Sequence, residues 1–374
     1  MKKCLSILLS LLILFTNVMV LAESPAAFDE FTRPKIKADG DLTVAHIHVR
    51  PDAESQARCS HQARIESAHR GWTYIQMPYY QDNEFIDKFR NAINQEVDVI
   101  ILGSVESMES KADLIAEARN KGIGVYGIDN NLVPGILVNS TMPNGIAAME
   151  LMYAIGEDCE WQANVTIITA PTIQVHIERT EPIKGLINVY SGLELLDEVD
   201  STSGGNDPAI YASEVTKAWL QKYGKELDGI IGSCDYFSLP ATEASAQNPD
   251  LVNENFWVAG VDGGVDTWEY IRSGTAFKYS YAQPFELFTH KAFEVIDQIQ
   301  VKGMNPGDEG CLISRSGAVI YSEGYVVTPD NVPAVGQSIH AVYDYYGMDP
   351  DDPDAWFNWK EEGGALVITG STGN

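Results

Sequence analysis

The chain has 374 residues, with 25 Lys and Arg against 53 Asp and Glu and a formal net charge of −28. That charge repels phosphate backbones and anionic lipid, which excludes nucleic acid as a partner and favours solubility. The length suffices for two domains with ordinary cores.

Lys2 and Lys3, an apolar stretch from Leu5 to Leu21 and a small-residue site ending at Ala22 read as a secretion signal over 1–22. The segment 23–41 is a mixed linker with Pro25 and Pro34, and no basic stop-transfer residues follow the apolar stretch. Cys4 precedes that stretch, so no cysteine stands at the cleavage point for lipid attachment. The mature chain is expected to be exported to the periplasm, free of the membrane.

From Leu42 onward the pattern alternates. Periodicity predicts a strand over 42–49, a helix over 53–70 stopped by Gly71, a strand over 72–77, a helix over 83–95 and a buried strand over 97–102. A helix over 111–121 ends at Gly122 and feeds a strand that runs into Asp129. The second half repeats the plan, with strands at 164–169, 195–199, 229–232 and 256–261 and helices at 174–190, 209–223, 239–247 and 265–273. A strand over 276–282, a helix over 284–302 and a strand over 323–328 follow. Continuous apolar runs are what parallel strands covered on both faces require, so the class is α/β, with two similar halves and a cleft between them. Three of these runs end in an acid, Asp129, Asp235 and Asp262, and ligands of such sheets sit beyond the carboxyl ends of the strands.

The residues 122–127 spell GxGxxG, yet they close a helix and open a strand, the reverse of what a dinucleotide fingerprint needs. Gly122 reads instead as a helix C-terminal stop, and no cofactor is expected. His46 and His48 share one face of the first strand, and His61 and His69 lie on the next helix, without the closed ligand set that zinc requires. They read as structural, with His48 a candidate for the cleft wall. Ser233, at a strand-to-helix turn, lacks the GxSxG elbow of a nucleophile. The acidic run 349–354 lacks the central glycine and final glutamate of a calcium loop. Cys59, Cys159, Cys234 and Cys311 allow three full disulfide pairings that spacing does not rank. A carboxylate accepts from two neighbouring hydroxyls and an arginine fork donates to two oxygens, so acids at strand ends suit a polyol; their other role is to cap the following helix. Asp235, just before Tyr236 and Phe237, is expected to cap its own helix.

The phrases Gly127-Ile128-Asp129-Asn130, Glu178-Arg179-Thr180, Gly260-Val261-Asp262-Gly263 and Ala282-Gln283-Pro284, in this order and spacing, resemble the type I periplasmic sugar-binding proteins of ABC importers, over roughly 42–331. The resemblance implies two Rossmann-like doubly wound lobes joined by a three-stranded hinge. The N-terminal lobe would comprise 42–139 plus 284–322, the C-terminal lobe 140–283 plus 323–345, and 346–374 an acidic, aromatic tail. It implies ligand contacts from Asp129 and Asn130, from Arg179 on the helix opening the second lobe, from Cys234 and Asp262, from the hinge residue Gln283, and from Asp52, Ser55 and Gln56 after the first strand; His176, about one helical turn before Arg179, would supply a further donor. Cys234 stands where the family often has asparagine, and Asn130 where it often has arginine. The first loop offers no aromatic, so Tyr79, Tyr80, Tyr211, Tyr236 or Phe237 would have to cover the sugar face. The function implied is capture of a small polyhydroxylated ligand, a monosaccharide first, by a monomer that delivers it to an ABC permease. The alternative is a sensory receptor presenting a sugar or autoinducer to a membrane chemoreceptor or histidine kinase. An exported hydrolase is the remaining reading, and catalytic and metal-ligating residues are not expected.

Overall fold

The computed structural model describes residues 32–204, 207–314 and 318–335, together with the backbone of a hairpin pairing Trp359–Glu362 with Ala365–Ile368. The leader read over 1–22, the acidic run 349–354 and most of the tail lie outside the described residues.

Two six-stranded sheets organise the rest. The first holds β1 (Thr43–Val49), β2 (Thr73–Tyr79), β3 (Val99–Gly103), β4 (Gly124–Ile128), β5 (Asn139–Thr141) and β11 (Val319–Tyr321), in the order β11-β5-β4-β3-β1-β2, all parallel. The second holds β6 (Ala163–Thr169), β7 (Leu193–Asp200), β8 (Gly229–Gly232), β9 (Trp257–Asp262), β10 (Phe277–Ala282) and β12 (Tyr325–Val327), in the order β12-β10-β9-β8-β6-β7, with β12 antiparallel. The chain passes between the sheets after β5, after β10, and between β11 and β12. Helices α1 (Glu54–Arg70), α2 (Asp82–Asn94), α3 (Ala112–Asn120) and α9 (Phe285–Ile296) flank the first sheet. Helices α4 (Asn144–Asp158), α5 (Gln174–Val189), α6 (Pro208–Tyr223), α7 (Asp235–Ala246) and α8 (Val265–Arg272) flank the second.

The apolar runs serve two cores at once. On β3, Ile100 and Leu102 enter the core under α2 and α3, while Val99 and Ile101 enter the one under α1 and α9. On β8, Ile231 and Ile230 divide in the same way between two cores of the second sheet. Both faces of these strands are therefore apolar, as a sheet covered on both sides demands. Gly122 adopts φ +77 behind α3, with its N–H on the carbonyl of Arg119 and that of Ile123 on the carbonyl of Ala118. This Schellman arrangement needs a left-handed residue and no phosphate, so Gly122 is a helix stop.

Three elements of the two six-stranded layers are absent from the sequence reading, β5, α4 and β11, as is the hairpin at 359–368. Helix α4 buries Ala147, Ala148, Leu151, Met152 and Ile155 but leaves Ile146, Met149 and Tyr153 exposed, so its apolar residues form no single stripe. β5 and β11 have three residues each, too short for a period to show. Helix α7 begins at Asp235, four residues before the reading from sequence, and α9 gives way after Ile296 to one wider turn over Asp297–Val301. The four cysteines expected in the mature chain are unpaired with one another. His46 Nδ1 meets Tyr74 Oη at 2.9 Å, and His48 Nε2 meets Ser60 Oγ at 3.1 Å and the Gln76 amide at 3.0 Å. His48 is thus a core residue and forms no part of the cleft wall.

The α1–α9 contact encloses a charged pair. Glu66 lies 2.6 Å from His290 Nδ1, accepts from the Gln62 amide at 2.7 Å and pairs with Arg70. Burial raises the carboxyl, but His290, Arg70 and Gln62 together hold it below its ordinary 4.5. Burial lowers the imidazole, but Glu294 and Glu66 hold it above 6.5. The glutamate contributes stability above 4.5 that is lost as pH falls through its folded value, and the histidine contributes stability below 6.5 that is lost as pH rises through its folded value. Breaking a buried pair costs about 3 kcal/mol. Urea unfolding should therefore show His290→Gln weakening the protein most between these two values, near pH 5.5, with a smaller difference in mildly alkaline buffer.

Candidate ligand-binding site

Strand ends build the site by turning sharply. Arg50 after β1, Ser104 after β3, Asp129 after β4 and Asp262 at the end of β9 have φ of 48°, 47°, 52° and 144°. Such values are costly for residues with a side chain and persist where the surroundings enforce them. Between the two sheets these turns open onto a cavity of about 500 Å³.

Arg179 on α5 forms its floor and is 2 % exposed. Its Nε donates to Asn144 Oδ1 at 2.8 Å, Nη1 to the Ser233 carbonyl at 3.0 Å and Nη2 to Asp129 Oδ2 at 3.4 Å, while Asp262 Oδ1 stands 4.0 Å from Nη1. Asp129 also accepts from Thr141 Oγ1 at 2.9 Å, and Asp262 from the Gln283 amide at 2.6 Å. Burial first, then the nearby Asp235, pushes the Asp262 carboxyl well above the usual carboxylate range against the pull of Arg179. His176, buried beside Arg179, is held well below 6.5 by desolvation and then by that cation, so its ring is neutral. Its Nδ1 lies 2.7 Å from Ser233 Oγ. A buried hydroxyl left without an acceptor is costly, so Ser233 donates, His176 Nδ1 accepts, and Nε2 carries the proton as a donor.

The mouth repeats this chemistry. Arg50 pairs with Asp207 and with Tyr236 Oη from the opposite half, and with Asp52 at 2.9 Å, while its guanidinium lies 5.7 Å from the Tyr80 ring centre. Burial lifts Asp207, but the Arg50 hydrogen bond and the Ala209 N–H bring it below its ordinary value. Asp207 is also the N-cap of α6, accepting from Ala209 at 2.9 Å, so one carboxylate both starts a helix and spans the cleft.

Of the residues predicted from sequence, Ser55, Gln56, Asp129, His176, Arg179, Cys234 and Asp262 line the cavity. Three stand elsewhere. Asp52 borders a neighbouring chamber of about 260 Å³ and pairs with Arg50 of the cavity wall. Asn130 turns inward, accepting from the Val105 N–H at 2.8 Å and donating to the Leu102 carbonyl at 2.8 Å, so it clips two loops together. Gln283 is buried behind Asp262. Asp235 does not cap its own helix, whose N-cap is Cys234. Its carboxylate reaches the Gly263 N–H at 2.8 Å, Thr267 Oγ1 at 2.7 Å and Ser280 Oγ at 3.0 Å, which ties α7 to the start of α8. Of the aromatic candidates, Tyr80, Tyr236 and Phe237 line the cavity, and Tyr79 is buried in the core. Ser104, Glu106, Thr202, Arg50 and Asp207 were not read as site residues. The strand-end rule that singled out three acids applies equally to Arg50, directly after β1.

A polar cavity enclosed by two doubly wound lobes, with the connections passing between them, defines a solute-capturing protein. The chain belongs to the periplasmic binding protein family, whose domain matches residues 62–302. These are ligand-binding proteins, so the chain is a binding protein and not an enzyme. Among similar proteins is a xylitol-binding protein of Mycolicibacterium smegmatis, 25% identical over 184 residues, or 49% of this chain and 50% of that one. The matched stretch thus spans about half the length of that relative. Among solved structures, an ABC transporter solute-binding protein from Bacillus halodurans with bound myo-inositol superposes with a TM-score of 0.66 at 18% identity, covering 79% of this chain and 98% of the other. One from Agrobacterium vitis with bound allitol gives 0.68 at 16%, covering 83% and 99%. Among the described residues no helix is long and apolar enough to cross a membrane.

Removing the Asn130 clip orphans the buried Val105 N–H, at a cost of about 2 kcal/mol. Asn130→Ala should lower the midpoint of urea unfolding accordingly, whereas Ser55→Ala should move it by less than about 0.5 kcal/mol.

Proposed function

We propose that the protein captures a small, uncharged polyhydroxylated solute, a monosaccharide or alditol, and delivers it to an ABC permease. The observation that carries this reading is charge balance. Each cavity arginine already has carboxylates beside it, Arg179 with Asp129 and Asp262, and Arg50 with Asp207 and Asp52. A charged ligand would have to displace one of these partners and leave it desolvated, a cost of several kcal/mol.

What the cavity still offers suits hydroxyls. Gln56 Oε1 is buried and has no hydrogen-bond partner among the described residues. His176 Nε2 supplies a donor, and the second oxygen of Asp262 a polar group that donates as an acid and accepts as a carboxylate. Tyr80, Tyr236 and Phe237 provide apolar surface for the C–H side of a sugar or alditol. The cavity volume falls in the range of small-molecule sites. The polyols named for the similar proteins, xylitol, myo-inositol and allitol, support the same class.

Closure follows from contacts made by both lobes at once, since a ligand that touches both favours the state in which both are near. On this reading the protein works in the periplasm as a monomer, the membership of the periplasmic binding protein family supporting the compartment.

Thermal unfolding against xylitol, allitol, myo-inositol, arabinose and glucose tests the proposal. At least one should raise the melting temperature by several degrees at a hundredfold excess over its dissociation constant, since such binding adds about 2.7 kcal/mol. Arg179→Met should abolish that rise. No shift with any polyol or sugar, or an undiminished shift in the variant, would contradict it.

A further inference from the structure

We propose that Glu54 and Arg58 form an interlobe latch that sets the backbone of Asp262 for ligand only when the lobes are shut. The two residues lie one turn apart on α1, beside the first sheet, and both reach the loop after β9, in the second. Both Glu54 carboxylate oxygens stand 2.9 Å from the Val265 N–H, the first of α8. Arg58 Nη1 donates to the carbonyls of Gly263 at 3.2 Å and Asp262 at 3.4 Å. The carboxylate takes the loop's N–H and the guanidinium takes its carbonyls, so the loop is gripped from both polarities.

Three further observations support a built contact. A side chain at Gly264 would bring its Cβ to 2.3 Å from Glu54 Oε2, so the close approach depends on glycine there. Arg58 is anchored by two bonds to Glu286, at 2.8 and 2.9 Å, and donates to the Gln283 carbonyl at 3.2 Å, at the crossing that leads into α9. The gripped loop contains the two left-handed residues Asp262 and Gly263, a conformation that its surroundings must enforce. Gln283 holds the Asp262 side chain from behind while Arg58 holds its backbone.

The latch has a pH dependence of definite sign. Asp52, Asp235, Asp262 and Asp266 border the same chamber as Glu54, and Arg58 is the cation there. Burial, against the pull of Arg58 and the Val265 N–H, raises the Glu54 carboxyl to about 7. Parting the lobes removes that burial and returns it toward 4.5. The closed state therefore holds a proton that the open state releases, so closure is favoured as pH falls below about 7 and opposed above it.

The inference rests on Asp262 belonging to the ligand site, but its test needs no ligand. Small-angle X-ray scattering and hydrogen exchange over 262–268 would be recorded for the ligand-free protein, Glu54→Gln and Gly264→Ala at pH 5.5 and 8.5. The wild type should be more compact and better protected at pH 5.5, Glu54→Gln compact at both values and Gly264→Ala expanded at both. Thermal melts establish that each variant is folded, and Glu54→Gln carries the test if Gly264→Ala is not. Identical dimensions and exchange in all three proteins, or a wild-type pH step that survives in Glu54→Gln, would overturn the latch. With xylitol as probe, wild-type affinity should fall about tenfold from pH 5.5 to 8.5, and less in Glu54→Gln. A pH step in the ligand-free protein without xylitol binding would keep the latch and count against the polyol reading.

Discussion

A buried guanidinium at the centre of the cleft holds the rest of the arrangement together. Arg179 has lost its water, and only partners from both lobes make that tolerable: Asp129 from the first sheet, with Asp262, Asn144 and the Ser233 carbonyl from the second. Removing the cation would leave Asp129 desolvated without its counter-charge, and removing Asp129 would leave the cation underpaired; either outcome costs several kcal/mol. The strand ends are therefore not independent decorations of the two sheets. They are the two halves of one charge-compensated contact.

The same device recurs at two other depths. At the mouth, Arg50 reaches across to Asp207 and Tyr236; beside the hinge, Arg58 reaches across to the loop that carries Asp262 while held by Glu286. All three arginines span the lobes, and each is matched by acid. A strongly acidic chain has spent scarce cations on the boundary between its halves. That boundary is dry in places, so burial outweighs the pull of Arg179 on Asp262 and of Arg58 on Glu54 and pushes both upward, while at the mouth Arg50 holds Asp207 below its ordinary value.

The fold was legible wherever a strand was apolar on both faces, because β3, β4, β8 and β9 read as unbroken runs, the last three leading to an acid. It was not legible at α4, whose exposed face carries Ile146, Met149 and Tyr153, nor at β5 and β11, which are too short for a period. Within the site, the spacing of phrases along the chain brought seven candidates to the cavity wall. Asn130 and Asp235 differed because their side chains bond to backbone and hydroxyls of neighbouring loops, partners that no local pattern displays. Asp207 was hidden by its own clarity: an acid before proline reads as a helix start, and it is one, but its free oxygen also crosses the cleft to Arg50.

Charge balance in the cavity is the central claim, and it is tested most directly by comparing a polyol with its acid. Isothermal titration calorimetry with xylitol and with xylonate, nearly the same in shape and different in charge, isolates it. The compensated arginines predict xylitol binding at least about tenfold tighter than xylonate, because the carboxylate must face Asp129 and Asp262 or unseat them. Xylonate binding as tightly as xylitol, or tighter, would mean that Arg179 or Arg50 is free for an anion and that the account is wrong.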